Sequence, residues 1–493
     1  MNVVNEFELD WRVCARARVT RDPRFDGKFF IGVRGSGVYC RSICPAPTAK
    51  EKNCRYFATA AAAAEAGYRP CLRCRPESSP GTPAWLGTST TVSRALRIIS
   101  QSGLEEGGVE GLAGRLGVGG RHLRRLFLKH LGATPNAVAQ TRRVHFAKKL
   151  IDETNLPMTE LAIAAGYGSV RRFNAAIRNI YHRTPTQIRA IARQKTALPE
   201  NQYLFRLRYR PPYDWRRMLA FLAACATPGV ETVEQTSYRR TISLRGSDGS
   251  FEISHDPNEP ALNARIQFGD PRALIFIVER IRALFDLNAD WSRIASRLAN
   301  DPLLAPRLTA NPGLRVPGCW SGFELAVCAI LGRKTEPRDG AELAGRLARI
   351  FGRPLVAGGG LTHLFPEPAA LARADLSRAG VPAGRAASIQ ALALAVCDSE
   401  LRFEGNADSP AFLARLRALP GIDERTAQYV AMRTLGEPDA FPCDDEKLRI
   451  RSDSWLPWRA YAAMYLWAEE FGAAADSPAS RSAGTTARRP RQM

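Results

Sequence analysis

Nothing in the sequence reads as an uninterrupted run of about 18 apolar residues, the length a membrane-spanning helix needs. The start, MNVVNEFELDWR, is acidic and has no apolar core of the kind that directs export. Membrane and secreted classes are thereby set aside, and a cytoplasmic location is expected. Negative charge is scarce too: 48 Asp and Glu face 70 Lys and Arg, a formal balance of +22 and an isoelectric point near 10.0. Such a surface gathers polyanions, nucleic acid first. The cysteines number eleven, an odd count for a disulfide framework, and six of them fall between residues 14 and 74. In a reducing compartment that clustering points to metal or catalysis.

At 493 residues the chain is too long for one core, and roughly 100 to 200 residues per domain allows three or four modules. The cysteine cluster runs to Glu77, and PESSPGTPAW reads as a linker. From about Thr90 to Arg193 the apolar spacing turns helical and holds a near-repeat, LAGRLGVGGRHLRRLFLKHLGATP (112–135) and LAIAAGYGSVRRFNAAIRNIYHRTP (161–185). After KTALPENQ, the stretch YLFRLRYR alternates apolar and basic residues as a half-buried strand does. A helix, RRMLAFLAACA, and strands in SYRRTISLRG and SFEISHD follow, then a series of amphipathic helices and a basic tail expected to be disordered. The fold class expected is multidomain and predominantly α with α+β modules. The divisions are 1–78, 90–194, 203–280, 281–475 and the tail 476–493.

Cys40 and Cys44 stand three residues apart, and after 26 more come Cys71 and Cys74, two apart. A C-x3-C pair with a C-x2-C pair can close a tetrahedral Zn²⁺ site; the alternative is four reduced core cysteines. Cys14 and Cys54 lie outside this pattern and are expected in the core. The residues RDPRFDGKFFIGVRGSGVYCRSICPAP and NCRYFATAAAAAEAGYRPCLRCRPE resemble the N-terminal domain of the Ada adaptive-response family along nearly its whole length. The resemblance implies that Cys40 is both zinc ligand and nucleophile, taking a methyl group from a DNA methylphosphotriester. Four thiolates on Zn²⁺ carry about −2, and methylating one leaves about −1, which weakens repulsion from DNA. Ser42, Ile43 and Pro47 stand where the family carries Pro, Ser and a phosphate-contacting Arg.

Each half of the repeat joins a helix, a turn with Gly, and a second helix dense in Arg, the pattern of a helix-turn-helix that sets its second helix in the major groove. The segment is similar to the AraC-type DNA-binding domain. Leu123, Phe127, Phe173 and Ile177 are the expected apolar anchors. Arg121, Arg124, Arg171, Arg172 and Asn174 are the expected DNA contacts.

YRPPYDWRRMLAFLAACATPGVETVEQTSYRRTISL, LRVPGCWSGFELAVCAILG and ALPGIDERTAQYVAMRTLGEPDAFPCDDEKLR resemble AlkA-type 3-methyladenine DNA glycosylases over most of residues 203 to 472. The resemblance implies an α+β glycosylase N-domain joined to a helix-hairpin-helix domain. ALPGI forms the hairpin, with Gly421 gripping a phosphate. Asp445 is implied as the catalytic carboxylate beside Asp444, and Tyr429 and Trp467 as the walls of the damaged-base pocket, where a cationic base gains cation-π stacking. Arg425 replaces the Lys of lyase-type relatives, so no Schiff-base chemistry is expected. Three departures are visible: Asp423 where a Gly is usual, a carboxylate expected to repel DNA; Lys334 near the apolar wedge position; and a shortened stretch between Asp445 and Trp458. No P-C-H-R motif of an O6-methylguanine transferase is present.

The expected protein excises alkylated bases, accepts methyl groups on a zinc-bound cysteine and activates transcription. Its expected partner is double-stranded DNA, damaged or promoter, with RNA polymerase a further candidate. The alternative reading is a regulator whose glycosylase-like module is weak or inactive.

Overall fold

The structure is a computed structural model and describes residues 10–80, 90–102, 104, 107–191, 198–333, 337–403 and 409–476. The first module sets helix α1 (Trp11–Thr20) and a short helix α2 (Ala60–Glu65) against a sheet of β1 (Phe30–Val33), β2 (Val38–Cys40), β3 (Cys54–Phe57) and β4 (Arg69–Pro70). The strand order is β3-β1-β2-β4, with β4 parallel to β2 and the other pairs antiparallel. Asp10 starts α1 by accepting from the Arg12 amide, and Thr59 starts α2 by accepting from Ala62. The small alanines 61–63 are buried, and they pack in one cluster with Phe30, Tyr39 and Phe57 of the sheet.

Seven helices follow: α3 (Thr90–Ser102), α4 (Gly108–Arg115), α5 (Gly120–Leu131), α6 (Pro135–Glu153), α7 (Met158–Ala164), α8 (Val170–Tyr181) and α9 (Pro185–Ile191). Thr134 caps α6 and Pro135 opens it, a favoured start because proline's missing N–H would be unpaired there anyway. The first helix-turn-helix has its own core of Val92, Ile98, Leu112, Leu123 and Phe127. The second does not: Leu161, Phe173, Ile177 and Tyr181 run into Tyr203, Phe205, Ile253 and Ile277 of the next module as one continuous core.

That module is an antiparallel sheet of β5 (Gln202–Arg208), β6 (Glu231–Val233), β7 (Ser237–Leu244), β8 (Ser247–His255) and β9 (Ala261–Phe268), in the order β5-β9-β8-β7-β6, with α10 (Trp215–Cys225) and α11 (Leu274–Leu284). In β5 the alternation holds: Tyr203, Phe205 and Leu207 are buried, Leu204 and Arg206 exposed.

The rest is α12 (Trp291–Leu298), α13 (Ala305–Ala310), α14 (Gly322–Leu331), α15 (Pro337–Phe351), a hairpin of β10 (Pro354–Gly358) and β11 (Leu361–His363), α16 (Pro368–Leu371), α17 (Ala383–Cys397), α18 (Ser409–Ala418), α19 (Glu424–Thr434), α20 (Glu446–Arg451) and α21 (Arg459–Asp476). Helix α14 buries seven of its ten residues, which makes it the central helix of this module.

One sequence expectation changes, and some elements were not anticipated. Strand β9 and the β10–β11 hairpin had no sufficient signal: β9 follows the turn-rich DPNEP, and the hairpin closes on three glycines. The stretch taken as a linker begins as a packed turn, Pro76–Ser78, with the Glu77 side chain 1% exposed. Lys334 and the basic tail from 477 lie outside the described residues. Among the described residues no helix is long and apolar enough to cross a membrane.

The zinc-type module docks on α6 through Tyr39, whose hydroxyl lies 2.8 Å from His145 Nε2. Burial drives the His145 pKa from the ordinary 6.5 to about 4, against an opposing pull from Glu77. An imidazole depressed in the fold is neutral in both states above pH 6.5. The unfolded chain takes up its proton first as the pH falls, so folding stability drops between about pH 6.5 and 4. His145→Gln should therefore show a shallower loss of thermal stability across that window than the parent chain, read by parallel melts at stepped pH.

Candidate functional site

Strand β2 ends on Cys40, and the turn after it brings Cys44 back toward Cys71 and Cys74, which follow β4. The four sulfurs lie within 4.8 Å of one another. Cys40, Cys71 and Cys74 are buried and Cys44 is half-buried. Arg41 holds the turn: its backbone N–H points to Cys74 Sγ at 3.4 Å, its guanidinium donates to Cys74 O at 3.0 Å, and a buried ion pair ties it to Asp26. The sulfurs polarise one another. Hydrogen bonds from Cys40, Cys44 and Cys74 pull Cys71 far below the usual thiol range, and a hydrogen bond from Cys40 lowers Cys44 to about 7. Cys40 and Cys74 move the other way for the same reason. A set of four thiols this close, three of them buried and with an N–H directed at one sulfur, fits Zn²⁺. Ser42 is buried with no hydrogen-bond partner for its hydroxyl, and Pro47 is exposed. Cys14 is buried as expected, whereas Cys54 is only half-buried on β3.

In the paired helix-turn-helix units the anchors fall where the spacing placed them: Leu123, Phe127, Phe173 and Ile177 are each 0% exposed. Arg121, Arg124, Arg171 and Arg172 project to solvent and Asn174 is half-buried. Ser169 caps α8 by accepting from the Arg172 amide, and Arg124 pairs with Glu110 at 2.9 Å.

In the helical body, α18 and α19 are joined by the turn at Gly421 and Asp423. Gly421 has φ +76°, a left-handed conformation that favours glycine, and a Cβ there would also displace Ser388 Oγ of α17, 2.3 Å away. Asp423 caps α19 by accepting from the Thr426 amide at 2.9 Å. One helical turn apart on α19 stand Arg425 and Tyr429, and a further turn brings Arg433. Arg425 pairs with Asp444 at 3.0 Å, and Gln428 Oε1 accepts from Phe441 N at 3.3 Å, so the FPCDDE segment is strapped along α19. Asp445 is exposed and caps α20, Oδ1 accepting from the amides of Lys447 (2.8 Å) and Leu448 (3.1 Å). The Tyr429 and Trp467 rings lie 6.4 Å apart, both half-buried.

Three residues that motif reading passed over shape this region. Arg433, buried, donates to Tyr429 Oη at 2.6 Å and to the carbonyls of Pro317 and Gly318, fixing the ring. Its i,i+4 spacing from Tyr429 was the available signal. Asp301 takes a two-point ion pair from Arg451 (2.6 and 2.8 Å) and a hydrogen bond from Trp455 Nε1, anchoring the far end of α20. Arg333 pairs with Asp423 at 3.1 Å. No sequence spacing pointed to either of the last two.

A four-thiol centre, two helix-turn-helix units and a hairpin-bearing helical body define a class: proteins that carry a regulator and a DNA-repair enzyme on one chain. Three family profiles match, the metal binding domain of Ada at residues 13–77, a helix-turn-helix domain at 112–191 and the AlkA N-terminal domain at 204–321. A protein of Mycobacterium tuberculosis described as a "Probable bifunctional transcriptional activator/DNA repair enzyme AlkA" is 37% identical over 478 residues, 93% of this chain and 96% of that one. DNA-3-methyladenine glycosylase 2 of Escherichia coli is 32% identical over 54% of this chain and 98% of its own. The bifunctional transcriptional activator/DNA repair enzyme Ada of the same organism is 36% identical over 25% of this chain and 34% of its own. The chain belongs to the family of bifunctional transcriptional activator/DNA repair enzymes of the AlkA type.

Two outcomes are expected. Cys71→Ser should abolish retention of Zn²⁺, measured by metal analysis after purification, while the helical body keeps its circular dichroism. Asp301→Ala should destabilise the helical body by about 2 kcal/mol, the scale of hydrogen bonds to a charged group. Arg451 and Trp455 hold the Asp301 carboxyl down to about 2, so the contribution is complete above about pH 4 and fades as the pH falls toward 2; denaturant melts at pH 7 and pH 3 test this.

Proposed function

We propose that this protein is a monofunctional DNA glycosylase that excises 3-methyladenine-type bases, joined to a cysteine that accepts methyl groups from DNA phosphotriesters and to a sequence-specific activator. The observation that carries the glycosylase reading is the strapping of Phe441 and Asp444, the segment that leads into Asp445, along the helix that bears Tyr429, behind a hairpin turned at Gly421. In this reading the hairpin holds the backbone and the damaged base leaves the stack to lie against Tyr429 and Trp467. An alkylated purine is already cationic and departs readily. The carboxylate of Asp445, oriented by its two amide bonds, stabilises the positive sugar while water adds. Arg425 makes no imine and is instead occupied with Asp444.

At the other end, Cys40, Cys44, Cys71 and Cys74 would hold Zn²⁺, which when bound would supply the charge that keeps the sulfurs as thiolates. Cys40 Sγ then attacks the methyl carbon: an S–C bond forms, the O–C bond breaks, and the phosphodiester anion leaves. Arg121, Arg124, Arg171, Arg172 and Asn174 contact the operator duplex, and RNA polymerase is the partner an activator so placed would recruit.

Excision is tested by release of 3-methyladenine from alkylated duplex. The parent chain should exceed Asp445→Asn by about 100-fold or more. Equal background release from both would leave a regulator with an inactive glycosylase-like module. Incubation with a methylphosphotriester oligonucleotide should add one methyl to the Cys40 peptide in mass spectra; retained zinc with no such adduct would reduce the front module to structure.

A further inference from the structure

Asp423 sets a carboxylate in the turn that is proposed to abut a DNA phosphate, which by itself predicts repulsion. The structure shows what offsets it. Arg333, just beyond α14, is held through its carbonyl, which accepts from Arg385 Nη2 at 2.6 Å. Its guanidinium turns into the hairpin, donating one N–H to Gly421 O and pairing with Asp423 Oδ2 at 3.1 Å. Burial alone would raise the Asp423 carboxyl, but the Thr426 and Arg333 bonds outweigh it and hold it ionised below the ordinary range.

The pattern extends over the hairpin face. Glu424 is matched by Arg417 at 2.8 Å and Asp444 by Arg425 at 3.0 Å. All three pairs are partly or largely solvent-exposed, with Arg333 at 30% and Asp423 at 50% side-chain exposure. Exposed pairs of this kind contribute little stability, so exchange of the carboxylate for a stronger acceptor costs little. A phosphate, with more acceptor oxygens in the fork geometry that guanidinium suits, is such an acceptor.

We propose that Arg333 is the side chain through which the hairpin meets a DNA phosphate, with Asp423 holding it in position and screening it until DNA arrives. The proposal rests on the glycosylase reading. Arg333 is a positioning residue: it fixes the strand against the hairpin and touches no reacting atom. The acidic hairpin thereby keeps a cation available to the DNA backbone while its standing affinity for duplex is lowered.

The test uses the full zinc-loaded chain and a short duplex carrying one cationic pyrrolidine in place of the damaged nucleotide's sugar, a mimic of the charged sugar. Excess undamaged duplex occupies the helix-turn-helix units, and binding is followed by anisotropy across a salt series. Arg333→Gln should weaken binding about tenfold and lower the slope of log K against log salt by about 0.9, one phosphate contact. Arg333→Lys should recover most of both. Asp423→Asn keeps a capping side chain and should tighten binding severalfold. The proposal is overturned by an Arg333→Gln variant that binds with the parent's affinity and salt slope. It is overturned equally if Asp423→Asn weakens binding as much as Arg333→Gln, which would make the pair a brace for the turn. A parent chain with no preference for the pyrrolidine duplex would instead sink the glycosylase reading itself, and this proposal with it.

Discussion

Helix α6 and the charged seam along it hold the modules in one arrangement. Glu77, Asp152 and Glu153 meet Arg75, Lys148 and Lys149 in a cluster that is largely out of solvent. Lys149 also reaches the Arg206 carbonyl on β5 at 2.7 Å. With acids and bases equal in number, the seam carries no net charge into a low-dielectric interior, the condition under which buried ions persist.

The seam also places the sulfur chemistry next to the regulator. Tyr39, bound to His145 of α6, directly precedes Cys40; Arg75, in the seam, directly follows Cys74. Cys40 and Cys74, one from each pair of thiols, therefore sit one residue from contacts on the helix between the two helix-turn-helix units. In the glycosylase-type body, the capping of α20 and the orientation of the Asp445 carboxylate rest on the same pair of hydrogen bonds.

Much of the site was legible before the fold was seen because its signals are local. C-x3-C with C-x2-C needs only short turns to converge, and the convergence of four sulfurs followed. Helical periodicity put Leu123, Phe127, Phe173 and Ile177 inside and left four arginines outside, because a helix fixes the relative direction of residues three and four apart. The likeness of ALPGI and FPCDDE to known motifs located Gly421 and Asp445. By contrast, Asp423 read as a flaw in the hairpin, since its partner Arg333 is distant in sequence and belongs to no motif.

The chain's order of residues by itself determined that there would be a thiol centre, two Arg-rich helix-turn-helix units and a hairpin-bearing helical body, since each depends on spacing within a few turns of backbone. Only the tertiary structure decided that these are not beads on a string. It merged the second helix-turn-helix with the β5–β9 sheet into one core, buried Glu77 where a linker was expected, and gave Asp423 its arginine. Those outcomes depend on surfaces and charges that meet across long stretches of chain, and no local periodicity records which of the possible partners each will find.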